Sequence, residues 1–369
     1  MRARSSNATI AVALIGAALA FDGALGCGRV SEERLEKSAQ RSAAGLESHK
    51  SPARSRPPLG RPPSFVEPGP SSESAGSEPV ELISRALSAF ATELVADDDA
   101  LYLLSDKAVF RLVPGSKPLE ISVDHGATAA LTRSAIVYWS DGAIRRVPKL
   151  GGKSRRLARV PNAPVRMAAS GKDFAWLEAT GQGQFEIRTL RANRPRVLAA
   201  PSGRVDAMTM APGRVVFVER KSGSQWRFGS APISGGSVTY SEPKSGRTPA
   251  MLAASGDDIY YYDGNKIEVR RLAPDLSREE GIANIICSPI AVSSRIYCAA
   301  FEGIFEIPKS GGTAPVKIHG RARDVTSIAS NTKLVAWTRD RGGENLSVVM
   351  LSLPIALRTE GSGPARSVP

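Results

Sequence analysis

The stretch that decides the fold is Ala135-Ile136-Val137-Tyr138-Trp139-Ser140-Asp141-Gly142-Ala143-Ile144-Arg145-Arg146-Val147-Pro148. Residues 135–139 form a β-branched and aromatic run. Asp141-Gly142 follows, a pair that accepts the positive φ of a tight hairpin. Residues 143–148 then alternate, with Ile144 and Val147 flanking two arginines. Working outward, Gly151-Gly152 supplies another turn before a polar run at 155–160, and a small-residue run at 127–131 precedes the whole. This grammar predicts four short antiparallel strands.

The centre of that phrase recurs. Leu101-Tyr102-Leu103, Val137-Tyr138-Trp139, Phe174-Ala175-Trp176, Val215-Val216-Phe217, Ile259-Tyr260-Tyr261, Ile296-Tyr297-Cys298 and Val335-Ala336-Trp337 follow one another at steps of 36, 37, 41, 44, 37 and 39 residues. A period near 39 residues, built from short apolar runs, marks a repeat architecture. Turn residues recur with it: Asp263-Gly264-Asn265, Glu302-Gly303 with Gly311-Gly312, and Ser222-Gly223-Ser224 with Gly235-Gly236. The third repeat has Gly181-Gln182-Gly183 but no glycine pair at its second turn. Helical periodicity is absent throughout the repeats. Four-stranded units repeated around an axis make an all-β propeller. The last repeat supplies three strands, 325–329, 333–338 and 346–353, while Val80-Glu81-Leu82-Ile83-Ser84 stands alone before the first. That orphan run is expected to complete the final blade. The prediction is therefore seven four-stranded blades closed by an N-terminal strand, with six or eight as alternatives if one divergent repeat is misassigned.

Tyr138-Trp139-Ser140-Asp141 resembles the Tyr-Trp-Thr-Asp signature of the low-density-lipoprotein-receptor type propellers. Tyr260-Tyr261-Tyr262-Asp263 is a weaker copy, and Tyr102 with Asp106 a weaker one still. Those propellers usually have six blades. The resemblance covers 80–354 as architecture and implies a binding platform, with the signature residues mainly structural.

Arg2 and Arg4, an apolar stretch at 8–21 and small residues up to Cys27 read as a secretory signal. The apolar run is shorter than the ~20 residues a membrane-spanning helix needs. Ala24-Leu25-Gly26-Cys27 resembles the lipobox of bacterial lipoproteins, which implies a lipid on Cys27. Gly28 in place of Asp implies, by the same resemblance, an outer-membrane lipoprotein, periplasmic or surface-exposed. The alternative is cleavage after Ala18-Leu19-Ala20 and a secreted soluble protein. The predicted organisation is a signal peptide at 1–26, a lipid-anchored cysteine and Pro/Ser-rich disordered tether at 27–79, the propeller at 80–354 and a loose tail at 355–369. A coil as long as the tether reaches ~40 Å.

Of three cysteines, lipidation of Cys27 leaves Cys287 and Cys298 as an even pair. In an oxidising compartment they are expected to bridge adjacent strands. The alternative is two half-buried free thiols.

Chemistry is harder to find. Gly151-Gly152-Lys153-Ser154 ends like a phosphate-binding loop, but Val147 occupies the position where that motif needs glycine, so the segment reads as a hairpin turn. His49, His125 and His319 have no partner at metal-ligand spacing. Asp97-Asp98-Asp99 and Asp257-Asp258 fit bends better than calcium loops. No catalytic residue, metal ligand or cofactor is assigned. The net charge of +13 favours polyanions, although Arg145-Arg146, Arg155-Arg156 and Arg270-Arg271 read as a dispersed, solvated surface, and export argues against nucleic acid. The expected function is a monomeric, lipid-anchored binding or scaffold module of the bacterial envelope, taking a protein or glycan ligand and touching the membrane through its lipid alone. The alternatives are an exported hydrolase or lactonase, whose channel carboxylates no motif assigns, and a polyanion- or glycan-binding protein.

Overall fold

Each recurring phrase is the second strand of an antiparallel sheet, and it is apolar on both faces because both faces are covered. A computed structural model describes residues 80–83, 93–104, 108–113, 116–122, 128–181, 183–320, 325–340 and 346–353. The signal, Cys27 and its tether, His49, Asp106, His125 and the tail at 355–369 lie outside the described residues. In chain order, blade 1 is β2 (Glu93–Ala96), β3 (Leu101–Leu104), β4 (Val109–Leu112) and β5 (Leu119–Ser122). Blade 2 is β6 (Ala129–Leu131), β7 (Ala135–Ser140), β8 (Ala143–Pro148) and β9 (Arg155–Arg159). Blade 3 is β10 (Arg166–Ser170), β11 (Asp173–Gly181), β12 (Gln184–Arg191) and β13 (Arg194–Ala199). Blade 4 is β14 (Arg204–Ala211), β15 (Arg214–Arg220), β16 (Gln225–Pro232), β17 (Thr239–Tyr240) and β18 (Lys244–Ser245). Blade 5 is β19 (Leu252–Ser255), β20 (Asp258–Asp263), β21 (Glu268–Leu272) and β22 (Glu279–Asn284). Blade 6 is β23 (Ile290–Val292), β24 (Ile296–Ala300), β25 (Gly303–Ile307) and β26 (Val316–Gly320). Blade 7 is β27 (Val325–Ser330), β28 (Leu334–Asp340) and β29 (Leu346–Ser352), completed by β1 (Val80–Ile83).

The orphan run thus closes the ring. Val80 pairs with Met350 and Glu81 with Val349, and the register slips by one residue before Ile83 meets Val348. Side chains confirm the closure. Along β3, Leu101 and Leu103 pack on Ala336, Val348 and Met350 of blade 7, whereas Tyr102 and Leu104 pack on Ile136, Tyr138 and Val147 of blade 2. Five further interfaces repeat this alternation around the ring, so each buried strand serves two cores at once.

Local departures from the repeat have local causes. The long step of 44 residues coincides with blade 4, where the outer position is split into β17 and β18, which pair with opposite ends of β16. Pro243, which lacks an N–H for the ladder, lies in the gap. In blade 3 the second turn dispenses with glycine: Ala192 and Asn193 adopt φ of 51° and 61°. Cys287 and Cys298 are bonded, Cα atoms 5.3 Å apart, and both are fully buried. The pairing differs from expectation in one respect. Cys287 belongs to the connection entering blade 6, not to a strand, so the bridge ties that connection to β24. For a loop this short the cross-link contributes roughly 3 kcal/mol in the chain-entropy account.

Candidate functional site

Propeller inner strands run side by side around the channel, and their two ends define two faces. The turns that follow them gather on one face. There Ser255 Oγ donates to the Ser293 carbonyl (3.3 Å), Ser293 Oγ to the Asn331 carbonyl (3.1 Å) and Asn331 Nδ2 to the Asp97 carbonyl (2.6 Å). The opposite face, where inner strands begin, is charged. Glu93 opens β2 and accepts the N–H of Ala129, which opens β6, at 3.1 Å. Arg166 opens β10 and is within electrostatic reach of both Glu93 and Asp206. In β14, Asp206 receives Arg204 Nε at 3.0 Å and Arg220 Nε at 2.7 Å. Acid and base therefore alternate across the channel mouth, from blade 1 to blade 4.

Burial dominates the chemistry of Glu93. Its side chain is half-buried, and desolvation raises its pKa to about 7 despite the Ala129 N–H and the charge of Arg166. Burial likewise lowers the pKa of Arg166, against the pull of Glu93 and Asp206. Because Glu93 holds its proton more tightly folded than unfolded, stability is expected to fall as pH rises from its unfolded value near 4.5 toward 7, then level off. Unfolding free energies across that window should lose this slope in Glu93→Gln. An unchanged slope would place the carboxyl in ordinary solvent.

Most residues singled out in the sequence are structural. Asp97 accepts the N–H of Asp99 (2.9 Å) and of Ala100 (2.8 Å), the Tyr102 hydroxyl (3.1 Å) and Lys149 Nζ (2.7 Å). Burial raises its pKa, but Lys149 and the two amides outweigh that and hold it below the usual carboxylate range. Asp258 opens β20 just after the matching turn of blade 5, facing Arg271 and Arg278 at 3.8 Å each. His319 lies against Trp337 with the rings tilted by 40° and their centroids 5.0 Å apart, and burial lowers its pKa. Among the described residues no group of three His, Cys, Asp or Glu side chains is placed to hold a metal. Gly151-Gly152 forms the expected turn, with φ of 90° and 123°.

One expectation changes. Arg145-Arg146 and Arg155-Arg156 are not dispersed: the β8–β9 register sets Arg145 opposite Arg156 and Arg146 opposite Arg155. Arg270, by contrast, is neutralised by Glu268 and by Glu279 (Nε to Oε1, 2.8 Å), and Arg271 by Glu280. The channel-mouth group escaped sequence reading because Glu93, Arg166 and Asp206 come from different repeats and form no local motif. The available signal was a charged residue at the start of β2, β10 and β14.

This fold defines a seven-bladed β-propeller. No family model matches the chain, and no curated protein matches it. Solved structures do. A chain of the mitotic checkpoint complex aligns with a TM-score of 0.53 at 9% identity, over 84% of this chain and 99% of that one. The WD40 domain of Neurospora crassa Pan2 aligns with a TM-score of 0.51 at 11% identity, over 72% and 89% respectively. A chain of a nidogen/laminin complex aligns with a TM-score of 0.40 at 16% identity, over 51% and 78%. At these identities the likeness concerns the fold alone.

Proposed function

We propose that this propeller is a binding module of the bacterial cell envelope, held by a lipid on Cys27 and recognising its partner at the charged channel mouth. The observation that carries this reading is the state of the mouth arginines. Arg204 and Arg220 keep 68% and 45% of their side-chain surface exposed, yet Asp206 fixes both. Donors held in place before binding lose little entropy when they meet a partner, and arginine forks suit carboxylates. The matching ligand is a carboxylate-bearing segment of a protein or glycan.

A photocrosslinking side chain at Arg204 tests this in cells. It should capture a defined partner, whereas the same group at Lys172, an exposed position in the turn on the opposite face, should not. Equal capture at both positions would remove the mouth as recognition surface. The anchor is tested separately: the mature protein should lose its acyl mass in Cys27→Ser.

A second reading, an exported hydrolase or lactonase, is favoured by Glu93 alone. A carboxyl with a pKa of about 7 in a channel is suited to general acid–base work. Absence of turnover on lactone and ester panels by the purified protein would dismiss it.

A further inference from the structure

Charge on this propeller is concentrated. Residues 128–160, which span blade 2, contain eight lysines and arginines against the single acid Asp141, a net +7 out of +13 for the chain. Like charges directly opposite across strands are destabilising, yet blade 2 stacks two such arginine pairs side by side. Lys149 is held by Asp97. Arg146, Arg155 and Arg156 have no acidic partner among the described residues.

Beside these pairs lies an open groove of about 450 Å³ between β5 of blade 1 and the outer half of blade 2, lined by Arg145, Lys153, Gly152, Ser122, Ser154 and Glu120, with Ile121 behind. Its floor is rigid. The buried Tyr138 hydroxyl bridges Ser122 Oγ (3.1 Å) and Ser154 Oγ (2.8 Å). The Gly151 turn lies beside Ile121: a Cβ at Gly151 would make an ordinary contact with Ile121 Cγ2, at 3.7 Å. Among the described lining residues Arg145 and Lys153 stand against the single carboxylate of Glu120, a balance that suits a single phosphodiester better than a string of phosphates.

Two leucines separate the possible ligands. Leu150, adjoining the Gly151 turn, is 79% exposed, and Leu119, two residues before Ile121, is 50% exposed. A soluble polyanion has no use for either. An anionic bilayer uses both, since basic side chains meet phosphates while apolar side chains enter the acyl boundary. We infer that blade 2 docks on an anionic lipid surface, with a headgroup phosphate in the groove between Arg145 and Lys153 and with Leu150 and Leu119 entering the interface beside it. The docking does not depend on the lipid at Cys27 or on the ligand of the channel mouth.

The test is flotation of the full chain, carrying Cys27→Ser, with phosphatidylcholine vesicles that contain or lack phosphatidylglycerol. The quantity read is the phosphatidylglycerol-dependent part of binding. It should fall steeply with salt. It should also drop by about fivefold for each cation lost in Lys153→Glu/Arg156→Glu, and weaken in Leu150→Ser at every salt concentration. All three side chains are exposed, and unchanged melting temperatures verify folding. Arg191→Glu/Arg194→Glu, the same charge change on blade 3, should leave most of the binding intact. Equal loss in both double variants would reduce the effect to net charge and overturn the site. Full competition by inorganic phosphate, with Leu150→Ser binding like wild type, would identify a free oxyanion site and overturn lipid docking.

Discussion

A chain that starts after β1 is expected to melt about 10 °C below the intact protein and to self-associate. β1 contributes only four residues, but they are the outer strand of blade 7 and pair along β29 from Val80 to Ile83. Strand hydrogen bonds are worth ~1 kcal/mol net each, so the loss is roughly 3–5 kcal/mol before any apolar exposure is counted. For a domain of this size each kcal/mol lowers the melting temperature by about 2–4 °C. The bared edge of β29, with Val349, Met350 and Leu351 all buried in the intact ring, would offer unpaired N–H and C=O groups to a second molecule. Calorimetry with light scattering measures both effects. A truncated chain that melts with the intact one and stays monodisperse would show that β1 is not what closes the ring.

The second large effect is expected at Glu219. Its side chain is fully buried in β15 and accepts four contacts: Ser202 Oγ and Gly203 N at 2.9 Å each, Arg227 Nε at 2.7 Å and Lys221 Nζ at 3.9 Å. Arg227 in turn lies over the Tyr240 ring, 3.6 Å from its centroid, so one carboxylate anchors the split outer edge of blade 4. Glu219→Ala would leave a guanidinium and an amide without their acceptor, at a cost of about 3–5 kcal/mol in denaturant unfolding near neutral pH. The pH dependence follows from the direction of its shift. Burial raises the pKa, but Arg227, Ser202 and the Gly203 amide more than reverse that, so the folded value lies below the unfolded one near 4.5. The stabilisation is present above that value and is lost as pH falls through the lower, folded value. The gap between wild type and variant should therefore narrow in acid. A gap of constant size would mean that packing, rather than the ionised carboxylate, supplies the stability.

Much of this architecture was legible because propeller blades impose strong local demands. A second strand covered on both faces must be apolar throughout, and the seven phrases from Leu101-Tyr102-Leu103 to Val335-Ala336-Trp337 obey that rule. Tight hairpins need positive φ, and Asp141-Gly142 announces it. Where the demand was weaker, the signal faded. Ala192-Asn193 turns the chain without glycine because asparagine tolerates the left-handed region. Nothing around Pro243 announced that an outer strand would resume as β18 after a break. Registers were less legible still. Arg145-Arg146 and Arg155-Arg156 look like two separate pairs until β8 and β9 align them, and Glu93, Arg166 and Asp206 share a site only because the ring brings three inner strands together. Sequence spacing reports what happens along a strand, whereas this candidate site is assembled between blades.

The Asn331 side chain has a mechanical consequence. Its amide nitrogen reaches the Asp97 carbonyl at 2.6 Å, while its own oxygen receives the N–H groups of Lys333 (2.8 Å) and Leu334 (2.9 Å). That bond crosses from blade 7 to blade 1, the same seam that β1 seals at the outer rim. The seam is therefore latched at two radii by unrelated contacts. Pulling the chain apart from its N-terminus would strip the rim first and leave a three-stranded blade still fastened at the axis, so forced unfolding of this ring should proceed through an intermediate that has lost its outer seal but kept its circular order.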